Sequence, residues 1–411
     1  MTAEVIPGPL AGVKVVDMST SYAGPTTSMY LADLGATVIK IERVAGDEAR
    51  GWGPPFVDGN SAWFAAANRN KRSIALDLKS DSGREVLHRL LADADVFVQS
   101  MNPAKLASLG IDPDTLCASF PQLIYCALSG FGSDGPHQDR PGYDLVAQAR
   151  SGLMSVTGAR GGAPQRVSTA LSDIATAMCA ALAINAALVK RFREGIGDVI
   201  DVSLFETDLA LMAPRIASFH AGEAEPAPSG GTDSVLAVYQ PFETADRSIV
   251  IAIGNDAMWQ RFARELGLDA LADDPELATN AHRQRARERI RKHVAHVLAT
   301  EPASVWIERL TRVNVPVSAV QTLSEVVQDA QVGFRGSLLP VPGSDGAMVT
   351  VRSPFRLGSI PEPRNERFPE LGDHTYEVMC ELGFTDADIE RMAAEGSIYV
   401  PTRTEPARAL S

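Results

Sequence analysis

The chain has 411 residues, enough for two or more domains with a sizeable core. Its formal net charge is −13, and hydrophobic and charged residues make up 45% and 22% of it, as in ordinary globular proteins. This acidic balance argues against a general nucleic-acid binder, which needs a basic face, but it is compatible with a local cluster of cations that binds an anionic ligand.

The first third of the chain alternates short β-rich runs with helical patterns. Gly24–Leu34 has a helical pattern, and Asp81–Ala92 has the pattern of a capped amphipathic helix, so both are predicted to be helices. Alternation of this kind is typical of parallel βαβ units with right-handed crossovers, so the sequence predicts an α/β fold with a Rossmann-like large domain built on a parallel sheet. The runs that we predict to be strands are Val13–Asp17, Thr37–Glu42, Ser73–Asp77, Val96–Gln99 and Leu123–Leu128.

The turn after the first predicted strand reads DMSTSYAGPTTS and lacks the GxGxxG fingerprint of dinucleotide sites. We therefore expect no NAD in this fold, because a Rossmann-like sheet does not by itself fix the ligand.

The middle of the chain changes character. A glycine-rich loop, Gly158–Pro164, precedes a long apolar helix predicted from about Ile174 to Arg193, which is expected to be buried rather than to span a membrane. The stretch GIGDVIDVSLFETDLALM then predicts a turn, a strand and a helix. Further on, Val238–Gly254 predicts paired strands, and three helices are expected over Asp256–Gly267, Arg283–Leu298 and Ser304–Val313.

These shifts predict a domain division. Residues 221–230 are rich in Pro, Gly and Ser and are interpreted as a linker. We expect residues 1–220 to form the first part of the large Rossmann-like domain, 231–327 a smaller α+β domain, and 328–411 a return to the large domain, with two helices between Phe368 and Ser397.

The four cysteines are scattered and form neither a CxxC pair nor a metal-ligand spacing; they are Cys117, Cys126, Cys179 and Cys380. The pattern predicts reduced thiols, no metal site and a cytoplasmic protein. The N-terminal stretch MTAEVIPGPLAG has no basic start and no apolar core, so we expect no signal peptide.

Asp173 is the first candidate for chemistry. It lies in ALSDIATAMCAALAINAAL, at the predicted start of the long helix. An aspartate at such a position usually caps the helix by accepting hydrogen bonds from free backbone amides. The alternative is a carboxylate nucleophile, with the same amides stabilising an oxyanion as the carboxylate is acylated. The pattern alone favours the cap.

Several cations lie near the ends of the predicted strands. Arg43 ends the second strand, NRNKRS covers Asn68–Ser73, and Arg140 precedes Pro141. Arginine and lysine suit phosphate, and this placement favours a ligand crevice over the alternative of a solvated charged surface. The sequence contains no HExxH and no GxSxG motif, so the usual zinc-peptidase and serine-hydrolase sites are not predicted.

Taken together, the chain resembles the class III CoA-transferase family (CaiB/BaiF type), which contains formyl-CoA and carnitine CoA-transferases. The resemblance runs from Pro9 to about Gly396. It rests on the order and spacing of many fragments, among them PLAGVKVVDMS, YAGPTTSMYLADLGATVIKIER, GDEARGW, NRNKRSIALDLK, RPGYDLVAQARSG, LSDIATAMCAALAINAAL, NVPVSAV and PELGDHTYEVMCELGF.

The resemblance implies that Asp173 is the catalytic aspartate and that coenzyme A or acyl-CoA is a substrate, with no metal and no redox cofactor. It also implies CoA contacts at Ser21, Tyr22, Ala23, Arg43, Asn70, Lys71, Arg72, Ser100 and Met101, with Arg140 and Tyr143 beside them. The stretch QSMNPAK departs from the family's ENF-Pro-Gly pattern, and Ser108 stands where an arginine is common. These departures concern the contacts to the adenosine end of CoA.

Three functions stay open. The first is CoA transfer between an acyl-CoA and a carboxylic acid through an aspartyl anhydride and an aspartyl-CoA thioester. The second is 2-methylacyl-CoA racemisation, which in a sister branch uses a histidine where this chain has Tyr143, a poor proton acceptor near neutrality. The third is a non-catalytic CoA-binding protein.

The resemblance further implies a homodimer of two chains threaded through one another. The glycine tetrad of formyl-CoA transferases has no clear counterpart, Gly230–Gly231 being the nearest match. We therefore expect a larger acid than formate or oxalate, with succinyl-CoA as a candidate donor.

Overall fold

A computed structural model describes residues 8–358 and 364–401. Residues 1–7, on which part of the signal-peptide prediction depends, lie outside this range, as do residues 359–363 and 402–411 of the predicted C-terminal segment. The strands are β1 (Lys14–Met18), β2 (Thr37–Glu42), β3 (Phe56–Val57), β4 (Asn60–Ser61), β5 (Lys71–Leu76), β6 (Val96–Gln99), β7 (Ile124–Ser129), β8 (Asp198–Ser203), β9 (Tyr239–Glu243), β10 (Ser248–Ala252), β11 (Val317–Ala319), β12 (Leu338–Pro340), β13 (Val349–Val351) and β14 (Ile398–Tyr399).

The helices before residue 221 include the long α8. They are α1 (Ala23–Asp33), α2 (Ala62–Asn68), α3 (Asp81–Ala92), α4 (Pro103–Leu109), α5 (Pro113–Ser119), α6 (Asp144–Arg150), α7 (Leu153–Val156), α8 (Leu171–Glu194), α9 (Leu204–Leu211) and α10 (Ala213–His220). The later helices are α11 (Asp256–Glu265), α12 (Asp269–Ala272), α13 (Asn280–Arg285), α14 (Arg287–Leu298), α15 (Ala303–Arg312), α16 (Leu323–Val326), α17 (Ala330–Arg335), α18 (Thr375–Glu381) and α19 (Asp386–Ala394). Short 3₁₀ turns cover Glu48–Gly51 and Pro275–Leu277.

The chain divides into two compact units. Of the described residues, the first unit contains 8–153, 167–221, 334–358 and 364–401, and the second contains 154–166 and 222–333. The chain therefore leaves the first unit and returns to it. The loop segment 154–166 falls in the second unit, whereas the sequence analysis placed it with the residues before 221.

A seven-stranded sheet forms the centre of the first unit, in the order β14-β5-β2-β1-β6-β7-β8. Six of these strands pair in parallel, and β14 pairs antiparallel to β5 at one edge. The α/β prediction with a large parallel sheet is thus confirmed. Strand β14 was not predicted, because a two-residue strand is recognisable only by its partner, here Ile398 opposite Leu76.

The central strands are apolar on both faces, as a sheet covered by helices requires. On β1, Val15 belongs to one buried core and Val16 to another; on β6, Val96 and Phe97 divide in the same way. These strands therefore read as near-continuous apolar runs rather than as alternating patterns, and this is why they could be predicted.

Helix α8 packs its buried face against α1 and the sheet. By length and composition α8 could cross a membrane, but the core helix of a globular protein meets the same criteria. Of its most apolar 18 residues, 44% are buried within the described protein. It starts at Leu171, three residues earlier than predicted.

The second unit is built on the antiparallel sheet β11-β10-β9 and a group of helices. Its core contains Trp259, Phe262 and Trp306, each at most 2% exposed. The paired strands expected in Val238–Gly254 are present as β9 and β10, and the helix expected over Arg283–Leu298 is divided at Ala286 into α13 and α14.

Candidate active site

The strand order of the first unit creates a crevice. The chain runs from β1 to β2 on one side and returns to β6 on the other side of β1, so the crossovers diverge between β1 and β6. At such a switch point the turns that leave the carboxyl ends of the strands separate and leave room for a ligand. Thr20 N, after β1, donates a hydrogen bond to Ser100 Oγ, after β6, at 3.1 Å.

A cavity of about 310 Å³ opens at this position. Its lining comes from the turns after β1, β6 and β7, from a polar loop before α6 and from the start of α8. The lining residues are Thr20, Ser21, Ala23, Gly24, Glu48, Ser100, Met101, Asn102, Pro103, Leu128, Ser129, Gly130, Gln138, Asp139, Arg140, Pro141, Gly142, Tyr143, Asp173 and Leu204.

The turn after β1 rests on a buried carboxylate. Asp17 is fully buried and accepts hydrogen bonds from Ser19 N at 3.0 Å, Ser28 Oγ at 2.5 Å and Lys71 Nζ at 3.1 Å. Burial acts to raise the pKa of Asp17, but the charges of Lys71 and Lys40 and the two serine hydroxyls lower it to about 2. The support beneath the turn therefore stays ionised at neutral pH.

A second buried ion pair fixes the mouth of the cavity. Lys40 Nζ donates to Ser19 O at 3.0 Å and to Asp47 Oδ2 at 2.8 Å. Asp47 Oδ1 in turn accepts Ser21 N at 3.2 Å, which holds Ser21 in the left-handed region at φ 69°. Ser21 Oγ donates to Glu48 Oε1 at 3.1 Å, so both side chains face the opening.

The loop of residues 131–141 is closed by two glycines in direct contact. A β-carbon on Gly130 would lie 2.6 Å from the Cα of Gly142, and one on Gly142 would lie 2.4 Å from the Cα of Gly130. Only glycine fits both positions without displacement of the backbone. This contact brings Gln138–Tyr143 against the cavity.

Asp173 is the third residue of α8 and not its cap. The N-cap position is Ala170, which makes no side-chain cap. Ser172 N, one of the amides expected to be free for an oxyanion, donates to Asp144 Oδ1 at 2.8 Å. The carboxylate of Asp144, at the start of α6, thus does the work of a cap, and Asp173 is left to line the cavity.

Two further carboxylates lie near Asp173. Burial first, and then the negative charges of Asp144 and Asp208, raise the pKa of Asp173 from 3.8 to about 7. A shift of this size, on a side chain that lines a cavity, is typical of functional carboxylates. Such a carboxylate is more basic than a free one and therefore a better nucleophile when ionised.

Most of the predicted site residues meet at this cavity. It is lined by Asp173 together with Ser21, Ala23, Ser100, Met101, Arg140 and Tyr143. Tyr22 lies beside them: its ring meets Trp63 edge-on at 5.4 Å, and burial first, then Tyr30 and Asp173, raise its pKa.

The other predicted cations and Asn70 have different surroundings. Lys71 Nζ is fully buried, and its three protons meet Asp17 Oδ2, Pro25 O and Asn68 Oδ1, so it serves the turn after β1 rather than the cavity. Asn70 is buried, and its Nδ2 donates a hydrogen bond to Asp33 Oδ1 at 2.8 Å.

Arg72 forms a two-point ion pair with Glu381, both contacts being 2.8 Å. Arg43 is largely exposed and contacts Glu48 at 3.3 Å, at the rim of the cavity.

Some residues of the site were not predicted from the sequence. Glu48, Gln138, Asp139 and Leu204 line the cavity, and the negative charge of Asp208 acts on Asp173. The signal for Asp208 was a carboxylate directly before the apolar run of residues 209–212. Glu48, Gln138 and Asp139 are ordinary exposed residues, and Leu204 is a buried apolar residue at the start of α9, so none of the four has a local sequence signal.

The fold is that of an α/β protein with a cavity at the carboxyl ends of its parallel strands, and Asp173, a carboxylate of raised pKa, lines that cavity. Residues 10–375 match the sequence model of "CoA-transferase family III". The chain belongs to this family and is a CoA-transferase that acts on acyl-CoA and carboxylic acids.

Curated relatives are similar over nearly the full length. The succinate–glutarate CoA-transferase of Agrobacterium fabrum is 35% identical over 91% of this chain and 96% of its own length. The succinyl-CoA:glutarate CoA-transferase of Homo sapiens is 34% identical over 95% and 90%. The acetyl-CoA:oxalate CoA-transferase of Acetobacter aceti is 32% identical over 87% and 91%. These relatives support the first of the three functions.

Solved structures share the fold. A CaiB/BaiF family protein from Brucella suis has a TM-score of 0.80 at 35% identity, with 92% of this chain and 100% of that chain covered. The protein Rv3272 from Mycobacterium tuberculosis has a TM-score of 0.80 at 29% identity, with 90% and 99% covered. The predicted family resemblance is therefore confirmed.

Proposed function

We propose that this protein transfers CoA from an acyl-CoA donor to a small dicarboxylic acid, with Asp173 as the group that carries the acyl and CoA units. The observation that supports this most strongly is the position of Asp173 in the cavity, with its pKa raised to about 7 by burial and two neighbouring carboxylates. Conversion of this carboxylate to an uncharged anhydride or thioester is favoured, because it removes a negative charge that is buried beside two others.

The reaction proceeds in four substitutions at carbonyl carbons. A carboxylate oxygen of Asp173 attacks the thioester carbonyl of the donor, the C–S bond breaks, and CoA leaves as a thiolate. The thiolate attacks the aspartyl carbonyl of the mixed anhydride, which releases the donor acid and leaves an aspartyl-CoA thioester. The acceptor carboxylate then displaces CoA from Asp173, and the thiolate attacks the acceptor's acyl carbon, restoring the Asp173 carboxylate. No net proton is consumed.

CoA is proposed to lie across the switch point. The turn carrying Ser21, Tyr22 and Ala23 and the turn carrying Ser100 and Met101 offer backbone and hydroxyl groups at the cavity. Arg140, which is exposed and lines the cavity, supplies a cation for a phosphate or for the acid's second carboxylate, with Arg43 at the rim.

Dicarboxylic acids of four or five carbons are the proposed acceptors, and succinyl-CoA is the proposed donor. The support comes from the names of similar proteins, the bacterial succinate–glutarate and human succinyl-CoA:glutarate transferases. Lining groups such as Ser21, Asn102 and Tyr143 give the cavity the hydrogen-bonding capacity that polar acids need.

We further propose that the protein works as a homodimer, interlocked as the family resemblance implies. An apolar stripe on the outer face of α8 supports an association: Leu182 is 72% exposed and Phe192 74%, with Met178 and Val189 between 43% and 50%. These residues recur at helical spacing and so share one face. The cytoplasmic location stays a prediction from the cysteine pattern.

The test is a mass-spectrometric assay of product CoA esters, with succinyl-CoA, acetyl-CoA and glutaryl-CoA as donors and succinate, glutarate, mesaconate and oxalate as acceptors. We expect the wild type to exchange succinyl-CoA with a dicarboxylate, and Asp173→Ala to lose at least about 1,000-fold in kcat. Exchange at the wild-type rate in Asp173→Ala would refute the covalent role. α-Proton exchange in a 2-methylacyl-CoA without acid exchange would instead favour racemisation.

A further inference from the structure

Ser172, the residue before Asp173, is held between two buried carboxylates. Its amide donates to Asp144 Oδ1 at 2.8 Å, and its hydroxyl donates to Asp208 Oδ2 at 2.8 Å. Ser172 and Asp208 are fully buried, and Asp144 is 8% exposed. The first turn of α8 is therefore fixed from α6 on one side and from α9 on the other.

Asp208 is incompletely neutralised. Its Oδ2 accepts the Ser172 hydroxyl and, at 3.5 Å, the Ser151 hydroxyl. Its Oδ1 is buried and has no hydrogen-bond partner among the described residues. A buried carboxylate without a cationic partner is costly, and natural proteins retain such groups mainly where they serve a function.

We propose that Asp208 is a positioning residue for Asp173: through Ser172 it holds the first turn of α8, and its buried carboxylate disfavours negative charge on Asp173. This inference rests on the proposed function and deepens it. Acylation removes the charge of Asp173 just as protonation does. Repulsion from Asp208 therefore favours the anhydride and the aspartyl-CoA thioester over the free carboxylate.

The other groups near Asp173 add to the repulsion, are uncharged, or are screened by solvent. Asp144 adds to the repulsion, and Tyr22 is neutral because burial raises its pKa. The charged residues around the cavity are more exposed and better screened; they are Glu48, Asp139 and Arg140. Asp208 has its own pKa raised by burial and by Asp144, which the Ser172 hydrogen bond opposes.

The test is a ¹³C NMR titration of the full-length protein labelled at aspartate carboxyls, with Asp173→Asn used to assign the signal of Asp173. In Asp208→Asn, which keeps the side-chain volume and an acceptor for Ser172, the titration midpoint of Asp173 should fall by about one pH unit. The control Asp198→Asn removes a carboxylate on β8 that is paired with Lys190 of α8, and it should leave the midpoint unchanged. An unchanged midpoint in Asp208→Asn would overturn the proposal.

A second measurement follows the covalent form. With excess donor at pH 8, the fraction of protein trapped as the aspartyl-CoA adduct, relative to free carboxylate, should be about tenfold lower in Asp208→Asn than in the wild type. An equal fraction would contradict the proposal. If Asp208→Asn does not fold, Asp208→Ser removes the same charge and is expected to give the same shift. The titration needs no turnover, so a wild type inactive with every donor would refute the proposed function while the role of Asp208 is still decided.

Discussion

At the scale of single residues, the first unit uses buried charge in two opposite ways. Asp17 has two buried lysines beside it, and its pKa falls to about 2. For Asp173, burial first and then the negative charges of two nearby carboxylates raise the pKa to about 7. The first arrangement stabilises a turn, whereas the second favours the uncharged form of a carboxylate that lines the cavity. The sequence alone shows both residues only as aspartates beside apolar runs.

Substitutions of Lys71 and Arg140 should distinguish a role in protein stability from a role in ligand binding. Lys71→Met leaves Asp17 short of a buried partner, so we expect the free energy of unfolding to fall by about 3–5 kcal/mol. Arg140→Ala removes an exposed cation and should leave the denaturation midpoint unchanged while KM for acyl-CoA rises about tenfold. Urea denaturation and steady-state kinetics measure both. Wild-type stability of Lys71→Met with a raised KM would instead make Lys71 a CoA ligand, as the family resemblance implies.

The raised pKa of Asp173 also predicts how stability changes with pH. Between pH 3.8 and about 7 the native state holds a proton that the unfolded chain has lost, so stability falls as pH rises through this window. Asp173→Asn removes the penalty. Its free energy of unfolding should exceed that of the wild type by up to about 4 kcal/mol at pH 8, and by much less near pH 4. Urea denaturation at the two pH values measures both. Asp198→Asn, which loses a salt bridge to Lys190, serves as the control and should show no such gain. A pH-independent difference for Asp173→Asn would contradict the assignment.

At the scale of elements, the sequence predicted what local pattern determines. The apolar strands and the long helix α8 were recognisable because burial imposes a composition on each segment. The contact of Asp208 with Ser172 was not predictable, since it depends on α9 packing against α8. The same holds for Lys71, which reads as part of a basic surface motif but points into the protein beneath the turn after β1.

The outer face of α8 carries the prediction on assembly. Because Leu182 and Phe192 are exposed apolar residues on one helix face, replacing both with glutamate should prevent a second chain from covering it. Light scattering after gel filtration should show a dimer for the wild type and monomer or aggregate for Leu182→Glu/Phe192→Glu, with loss of activity. Lys292→Glu, on an exposed position of α14, should remain dimeric. A wild type that is monomeric and fully active would exclude the dimer.

At the scale of the whole molecule, the family, the fold and the cavity agree on CoA transfer. The parallel sheet separates its turns between β1 and β6, and α8 delivers one basic carboxylate to that point. In the proposed mechanism no lining residue has to supply or remove a proton, because each step exchanges one carboxylate or thiolate for another. Transfer through Asp173 differs from direct transfer between the two acids in one respect: an oxygen atom of the acceptor acid must enter the Asp173 carboxyl group.

Oxygen tracing tests this central claim most directly. The acceptor acid is labelled with ¹⁸O in its carboxyl groups and turned over with succinyl-CoA, and the peptide containing Asp173 is then analysed by mass spectrometry. Because the acceptor oxygen that bridges the second anhydride stays with the aspartyl carbon when CoA attacks the acceptor, the account predicts ¹⁸O in the Asp173 carboxyl. Asp144 and Asp208 should remain unlabelled. Product CoA ester formed over many turnovers with no ¹⁸O in Asp173 would contradict it.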